Sequence, residues 1–361
     1  MTGDGPSGGD GVADAADAIA ADTAAFRRYL RAKRTVDDRA LDRRLVGRFR
    51  ERLADRAAAT DGPLRVLEVG AGIGTMVARL IDWEVLPPGE TRYVAVDLDA
   101  GALAALSPFL REWAAEREAS VSVADSEAGP ADGDALVVET DARTVRVEPV
   151  AADAVAYAEA HPGERDALIG MALLDVLDLN ALETLLGALA PGGTYYFPIT
   201  FDGGTRFRPA HPADRAVERR YHAHMDAKPG GNSRAGDAAV SRLGGIDGSS
   251  LLGVAGSDWV VRPAEDVARE TADDSPYPGD EAFFLRHILD TVETAVGAVI
   301  DGTVGASPAG DGARAGGSEA DADPAADLDA WLAARRRQVD AGDLVYLTHQ
   351  FDLLGRVDGD A

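Results

Sequence analysis

From Val66 to Thr75 the chain reads Val-Leu-Glu-Val-Gly-Ala-Gly-Ile-Gly-Thr, a short apolar run with an acid near its end and then glycine at every second position. Such a run predicts a buried strand. The glycines that follow let the main chain turn tightly and lie directly against a ligand, with no side chains in between. Met76 to Ile81 is helical in character, so the turn opens onto a helix N-terminus. Strand, glycine turn and helix together predict the first crossover of a nucleotide-binding α/β sheet.

The spacing bears on which ligand the turn accepts. A dinucleotide fingerprint, G-x-G-x-x-G/A, seats a pyrophosphate on the helix N-terminus. Here the third glycine, Gly74, comes one residue early, and Thr75 stands where that fingerprint wants Gly or Ala. Glu68, just before the first glycine, is expected to put a carboxylate beside the ligand, which suits a sulfonium cation and repels a pyrophosphate. Asp97 ends the second apolar run, Tyr93 to Asp97, where a carboxylate can accept hydrogen bonds from both ribose hydroxyls. Both ligand classes need that acid. Asp99 lies beyond the strand end and reads as a helix cap.

A third acid, Asp153, follows the β-rich run Thr144 to Val150 and precedes a further strand at Ala167 to Met171. An aspartate that begins a helix also serves as an N-cap, and both roles stay open for it. Asp141 and Ala142 lie one strand earlier and read as a hairpin turn.

Glu68, Gly70, Gly72 and Gly74 match the form E/D-x-G-x-G-x-G, and with them the chain resembles the class I S-adenosylmethionine-dependent methyltransferases. The resemblance covers residues 64 to 201 and, loosely, the last strand. It implies a doubly wound, seven-stranded, mostly parallel sheet of Rossmann-like form, with S-adenosylmethionine as cofactor. Residue by residue, it places Glu68, Gly70, Gly72, Gly74 and Asp97 at the cofactor, Asp153 at the adenine amino group and Ala154 as a neighbouring main-chain donor. Pro191-Gly192-Gly193 resembles the turn before the fifth strand, a structural feature only, since proline ends a helix and glycine supplies a left-handed turn. Leu344 to Phe351 fits an antiparallel closing strand. The Asn/Asp-Pro-Pro-Tyr/Phe signature of amino methyltransferases that act on DNA bases or protein glutamine is absent.

The pattern divides the chain into a disordered N-terminus at 1–12, N-terminal helices at 13–62, the cofactor-binding core at 63–202, an insertion with a helix at 203–250, and closing strands at 251–361. Within the last part, residues 301–326 are almost entirely Gly, Ala, Asp, Pro, Ser and Glu and read as a flexible acidic loop. The single strand expected at Leu251 to Val261, the apolar helix at Phe283 to Ile300 and the helix at Leu328 to Val339 complete the expected elements.

Composition narrows the acceptor. The formal charge is -26, from 62 acidic and 36 basic residues, and Cys is absent. A chain this negative is poorly suited to holding nucleic acid by its phosphates, so a small-molecule or lipid-like acceptor is expected. The absence of cysteine excludes disulfides, thiolate metal sites and a cysteine nucleophile. Lys33 and Lys228 are the only lysines, and an acidic, lysine-poor surface fits a halophilic protein working in molar salt, where charges are screened. Codon bias in a GC-rich genome also favours Arg over Lys but does not account for the acidic excess. No run is long and apolar enough to span a membrane and no signal-like start is present, so a cytoplasmic location is expected.

On the acceptor side, Tyr221 and His222 fall in the polar stretch after the fifth strand. His222 is the first candidate for a general base because imidazole titrates near neutral pH, and helix packing is the competing role for both residues. His222 and His224 point to different sides of a helix, and a zinc site completed by His349 has no support, so no metal is expected. Tyr29, Arg34 and Trp259 are candidates to line or close the pocket. Two alternatives to a methyltransferase remain open: a non-catalytic nucleoside-binding regulatory protein and a nicotinamide-dependent oxidoreductase.

Overall fold

The computed structural model describes residues 10–124, 135–264, 275–304 and 324–359. Two helices come first, α1 (Asp10–Ala40) and α2 (Arg43–Ala59), the second capped by Asp42, whose carboxylate accepts from the Arg44 and Leu45 N–H groups. The expected disorder at 1–12 is replaced from Asp10 onward by helix, and its first nine residues lie outside the described chain. Then follow β1 (Leu64–Val69), α3 (Thr75–Asp82), β2 (Gly89–Asp97), α4 (Ala100–Ala104), α5 (Leu106–Ala115), β3 (Ser120–Ala124), β4 (Ala135–Glu139), β5 (Arg143–Ala151), α6 (Ala154–Ala160), β6 (Arg165–Ile169), a 3-10 turn at Leu179–Ala181, α7 (Leu182–Leu186) and β7 (Leu189–Arg208). The chain finishes with α8 (Asp214–Ala227), α9 (Ala235–Gly244), β8 (Ser249–Gly256), β9 (Trp259–Val261), α10 (Glu281–Ile300), α11 (Pro324–Ala341) and β10 (Val345–Val357).

The strands form one sheet in the order β3-β4-β5-β2-β1-β6-β7-β10-β8, with β9 also paired to β10. From β5 to β7 all neighbours are parallel, while β10 runs antiparallel to β7, β8 and β9. This is the doubly wound, mostly parallel architecture expected from the strand and helix alternation. The seven-stranded core is β5-β2-β1-β6-β7-β10-β8. The described chain adds β3 and β4 at one edge, and the strand expected at 251–261 is split into β8 and β9.

Each face of the sheet is buried by its own set of helices, as parallel strands require. One apolar cluster joins α1, α2, α3, α5, α10 and α11 to Leu64, Val66, Tyr93 and Tyr196; the other joins α6, α7 and α9 to Leu67, Val69, Val96 and Phe197. Successive residues of β1 therefore enter different layers. The order reverses at β1, which pairs β2 on one side and β6 on the other, so the crevice beyond the carboxyl ends of these strands is the topological switch point.

Two local readings change. Pro191-Gly192-Gly193 does not separate helix from strand but bulges out of β7, since Arg165 of β6 faces Leu189 while Ala167 faces Thr194. The expected helix at 179–190 is short because the chain enters β7 at Leu189. Most of the acidic loop at 301–326 lies outside the described residues, and α11 starts inside it at Pro324.

Candidate functional site

The glycine turn sits at the switch point. Gly70, Gly72 and Gly74 have φ of 71°, 55° and 84°, a left-handed region that L side chains rarely enter. A Cβ at Gly70 would lie 3.2 Å from Leu173, and one at Gly72 would lie 3.3 Å from Leu30. The turn is thus a bare main-chain cradle flanked by two half-buried leucines, one from α1 and one from the loop after β6.

Asp97 ends β2 with its carboxylate across this turn, accepting from the Gly72 N–H at 2.7 Å and from the Asp99 N–H at 2.8 Å. Asp99 is the cap expected of it, accepting from Gly101 and Ala102 at the start of α4. Asp153, exposed just after the carboxyl end of β5, caps α6, and both of its bonds, from Val155 at 3.0 Å and Ala156 at 2.9 Å, use Oδ1. Ala154 begins α6. Asp141 and Ala142 form the turn between β4 and β5, as expected.

Glu68, the acid expected at the ligand, is a buried residue of β1. The pleat of β1 sends Val69 into one layer, so Glu68 enters the other, where it is 2% exposed and accepts a 2.8 Å hydrogen bond from the Tyr93 hydroxyl. Burial pushes its carboxyl up to about 8, against the opposing effects of Tyr93 and Arg79, and Asp97 raises it further. Near neutral pH the side chain is mostly protonated.

Beyond the cradle, α1, α3, β9 and α10 bring the pocket candidates Tyr29 and Trp259 together with Lys33, Asp37 and Arg79, which sequence patterns did not single out. Lys33, 7% exposed, donates to Asp37 at 2.8 Å, and its ammonium lies 5.2 Å from the centre of the Trp259 ring. Asp37 also accepts from the Trp259 indole N–H at 2.9 Å. Arg79, on α3 and 1% exposed, pairs with Asp38 at 2.5 Å. Tyr29 stacks on Phe284 and on His287, with ring centres 5.6 Å and 4.2 Å apart. The one available signal for Lys33 was its rarity in a chain that otherwise uses arginine.

Tyr221 and His222 are adjacent on α8 but serve different surroundings. Tyr221 faces the α1 side, where burial and the nearby Asp175 carboxylate push its phenol up to about 12. His222 faces β7, its Nε2 3.4 Å from the Thr205 hydroxyl and its ring edge-on to Phe201. Burial lowers the imidazole pKa; Glu218 and Asp226 oppose this, and Arg234 and Arg206 add to it. Arg34 pairs with Asp82 of α3 at 2.6 Å. His349 pairs with Asp258 at 2.8 Å. Among the described residues no group of three or more His, Asp or Glu is placed to hold a metal, and no helix is long and apolar enough to cross a membrane.

No family model matches the sequence, and no curated protein matches it. Solved structures do. A Bacillus halodurans C-125 protein described as a methyltransferase is 12% identical, with 84% of this chain and 97% of the other covered and a TM-score of 0.42. An S-adenosylmethionine-dependent methyltransferase from Thiobacillus denitrificans, solved with S-adenosylhomocysteine, is 12% identical over 88% and 92% of the two chains, with a TM-score of 0.39. One from Geobacter sulfurreducens, also with S-adenosylhomocysteine, is 14% identical over 85% and 90%, with a TM-score of 0.37. The fold itself rests on this chain's own strand order and register, which give a Rossmann-like, mostly parallel α/β sheet.

Proposed function

We propose that this chain is an S-adenosylmethionine-dependent methyltransferase acting on a small-molecule acceptor. The observation that carries the reading is the left-handed glycine cradle at the switch point with the Asp97 carboxylate drawn across it. The chemistry of the residues present suits the cofactor: the glycine main chain would hold its amino-acid end, Asp97 would accept from the ribose hydroxyls, and Asp153 with the main chain at Ala154 would hold the adenine. S-adenosylmethionine supplies, when bound, an activated methyl group on a sulfonium.

The chain's own residues have three tasks in this reading: align the acceptor, exclude water and receive a proton where the acceptor must lose one. Leu30 and Leu173 supply apolar cover beside the glycine turn. Tyr221, protonated at neutral pH, is a hydrogen-bond donor on the acceptor side. His222, whose lowered pKa leaves the imidazole neutral, is in the correct state to take a proton. A cytoplasmic, salt-adapted protein belongs to the same proposal.

Incubation with methyl-labelled donor and fractionated metabolite extract tests the activity. Label in a small-molecule product is expected. Binding of S-adenosylhomocysteine without product from any extract would instead make this a nucleoside-binding regulatory protein.

A further inference from the structure

Near the cradle, Ala172 and Ile199 hold a main-chain conformation that their side chains disfavour. Ala172 has φ of 50° and Ile199 has φ of 58°, a left-handed region that glycine enters freely and a β-branched residue almost never does. Ala172 lies in the loop after β6, and Ile199 lies in the neighbouring strand β7. Strain of this kind persists only where the surroundings fix it, and it collects at functional sites.

Here a single buried carboxylate does the fixing. Strands β7 and β10 fall out of step at this point: Phe351 faces Thr200 and Leu353 faces Phe197, so Pro198 and Ile199 together oppose Asp352 in a β-bulge. Asp352 is fully buried, and its Oδ1 accepts from the Ile199 N–H at 3.0 Å. Its Oδ2 accepts from the Tyr196 hydroxyl and from the Asp42 N–H, both at 2.9 Å, which ties the same side chain to the cap of α2. These partners are uncharged N–H and O–H donors, so hydrogen bonds rather than an ion pair offset the cost of burying the carboxylate.

The peptide between Pro198 and Ile199 carries this hold across to the cradle. Its N–H donates to Asp352, while its C=O accepts from the Ala172 N–H at 3.0 Å. One step back, the Gly170 N–H donates to the Tyr196 carbonyl at 3.1 Å. Leu173 follows Ala172 directly, and it packs beside Gly70, 3.2 Å from where a Cβ would stand. Turning the 198–199 peptide would release Ala172 and, with it, Leu173. The side chain that fixes Ile199 therefore also fixes the loop beside the glycine turn.

We propose that Asp352 is a positioning residue for the cradle: by holding the strained 198–199 peptide it keeps residues 170–173 against Gly70, in the arrangement that receives the methyl donor. The last clause rests on the methyltransferase reading, and the clamp on the loop does not. Asp352 acts through Ile199, Ala172 and Leu173 rather than by touching a ligand.

Hydrogen exchange on the full chain, followed amide by amide, reads the clamp. In the wild-type protein the Ala172 and Ile199 amides should open together, with protection within about threefold of each other. Asp352→Ala should speed exchange at Ala172 by about tenfold or more and weaken S-adenosylhomocysteine about tenfold in calorimetry. Tyr196→Phe removes a bond to Oδ2 but leaves the one from Ile199, and should move both readouts by no more than about twofold. In a Leu173→Ala background, Asp352→Ala should weaken S-adenosylhomocysteine by less than about threefold further, a coupling that a merely structural role would not produce. Much faster exchange at Ala172 than at Ile199 in the wild type, unchanged exchange at Ala172 in Asp352→Ala, or the same loss of affinity in both backgrounds overturns the proposal. The wild-type comparison stands even if Asp352→Ala fails to fold. Faster exchange at Ala172 in a protein that does not bind S-adenosylhomocysteine sinks the methyl-donor reading and keeps the clamp; S-adenosylhomocysteine binding with the Ala172 amide unaffected by Asp352→Ala sinks the clamp alone.

Discussion

Replacing Glu68 with Gln should make the protein more stable, and by an amount that grows with pH. In the native chain Glu68 is 2% exposed and held by Tyr93 at 2.8 Å. Its carboxyl titrates at about 8 rather than at its ordinary 4.5 because burial penalises the charged form. The unfolded chain releases this proton near 4.5 while the folded chain keeps it until about 8. Stability is therefore full below the lower value and falls as pH rises between the two, by roughly 1.4 kcal/mol per pH unit. That slope gives about 3 kcal/mol lost by neutral pH and about 5 kcal/mol across the window. Gln has nearly the same shape, offers its amide oxygen to Tyr93 and does not titrate. Urea unfolding of both proteins at a series of pH values from about 4.5 to 8 should show curves that separate as pH rises. The common repulsion of a very acidic chain cancels in the difference. Parallel curves would refute the burial of a protonated carboxyl at Glu68.

Asp97→Ala removes the acceptor for the Gly72 and Asp99 N–H groups and should cost about 1–3 kcal/mol of S-adenosylhomocysteine affinity, read by calorimetry; unchanged affinity would remove Asp97 from the site. Asp153→Ser keeps a capping oxygen and should leave stability nearly unchanged, whereas Asp153→Ala should cost about 1 kcal/mol in urea unfolding. If Asp153 holds the adenine, both variants lose affinity alike; loss in the Ala variant alone would mean that Asp153 acts only as a cap. With a net charge of -26, thermal stability should rise as potassium chloride is increased towards molar concentration, and a flat response would argue against adaptation to salt.

The core crossover was legible in the sequence because its signals are local. Glycine spacing marks the turn at 70–74, the strand ends mark Asp97, and the hairpin at Asp141 and Ala142 follows from two β-rich runs around a polar turn. The burial of Glu68 was less legible: its place two residues before a glycine marks an acid near the turn, while the alternation of β1 between two buried layers decides which layer it enters. Asp153 is the cap its position allowed, with both bonds on one oxygen, a division visible only in three dimensions. The cluster of Tyr29, Lys33, Asp37 and Arg79 with Phe284 depends on the meeting of α1, α3 and α10. Its members are separated by up to most of the chain, and no periodicity announces such a meeting. Trp259 shows the same limit, since its indole reaches Asp37 on α1 across 222 positions.

Direct titration of the full chain with S-adenosylhomocysteine and, separately, with NAD tests whether the glycine cradle receives a methyl donor. S-adenosylhomocysteine should bind saturably at one site, with the affinity reduced in Asp97→Ala, and NAD should give no saturable heat. Saturable binding of NAD, with none of S-adenosylhomocysteine, would contradict the assignment of the cradle.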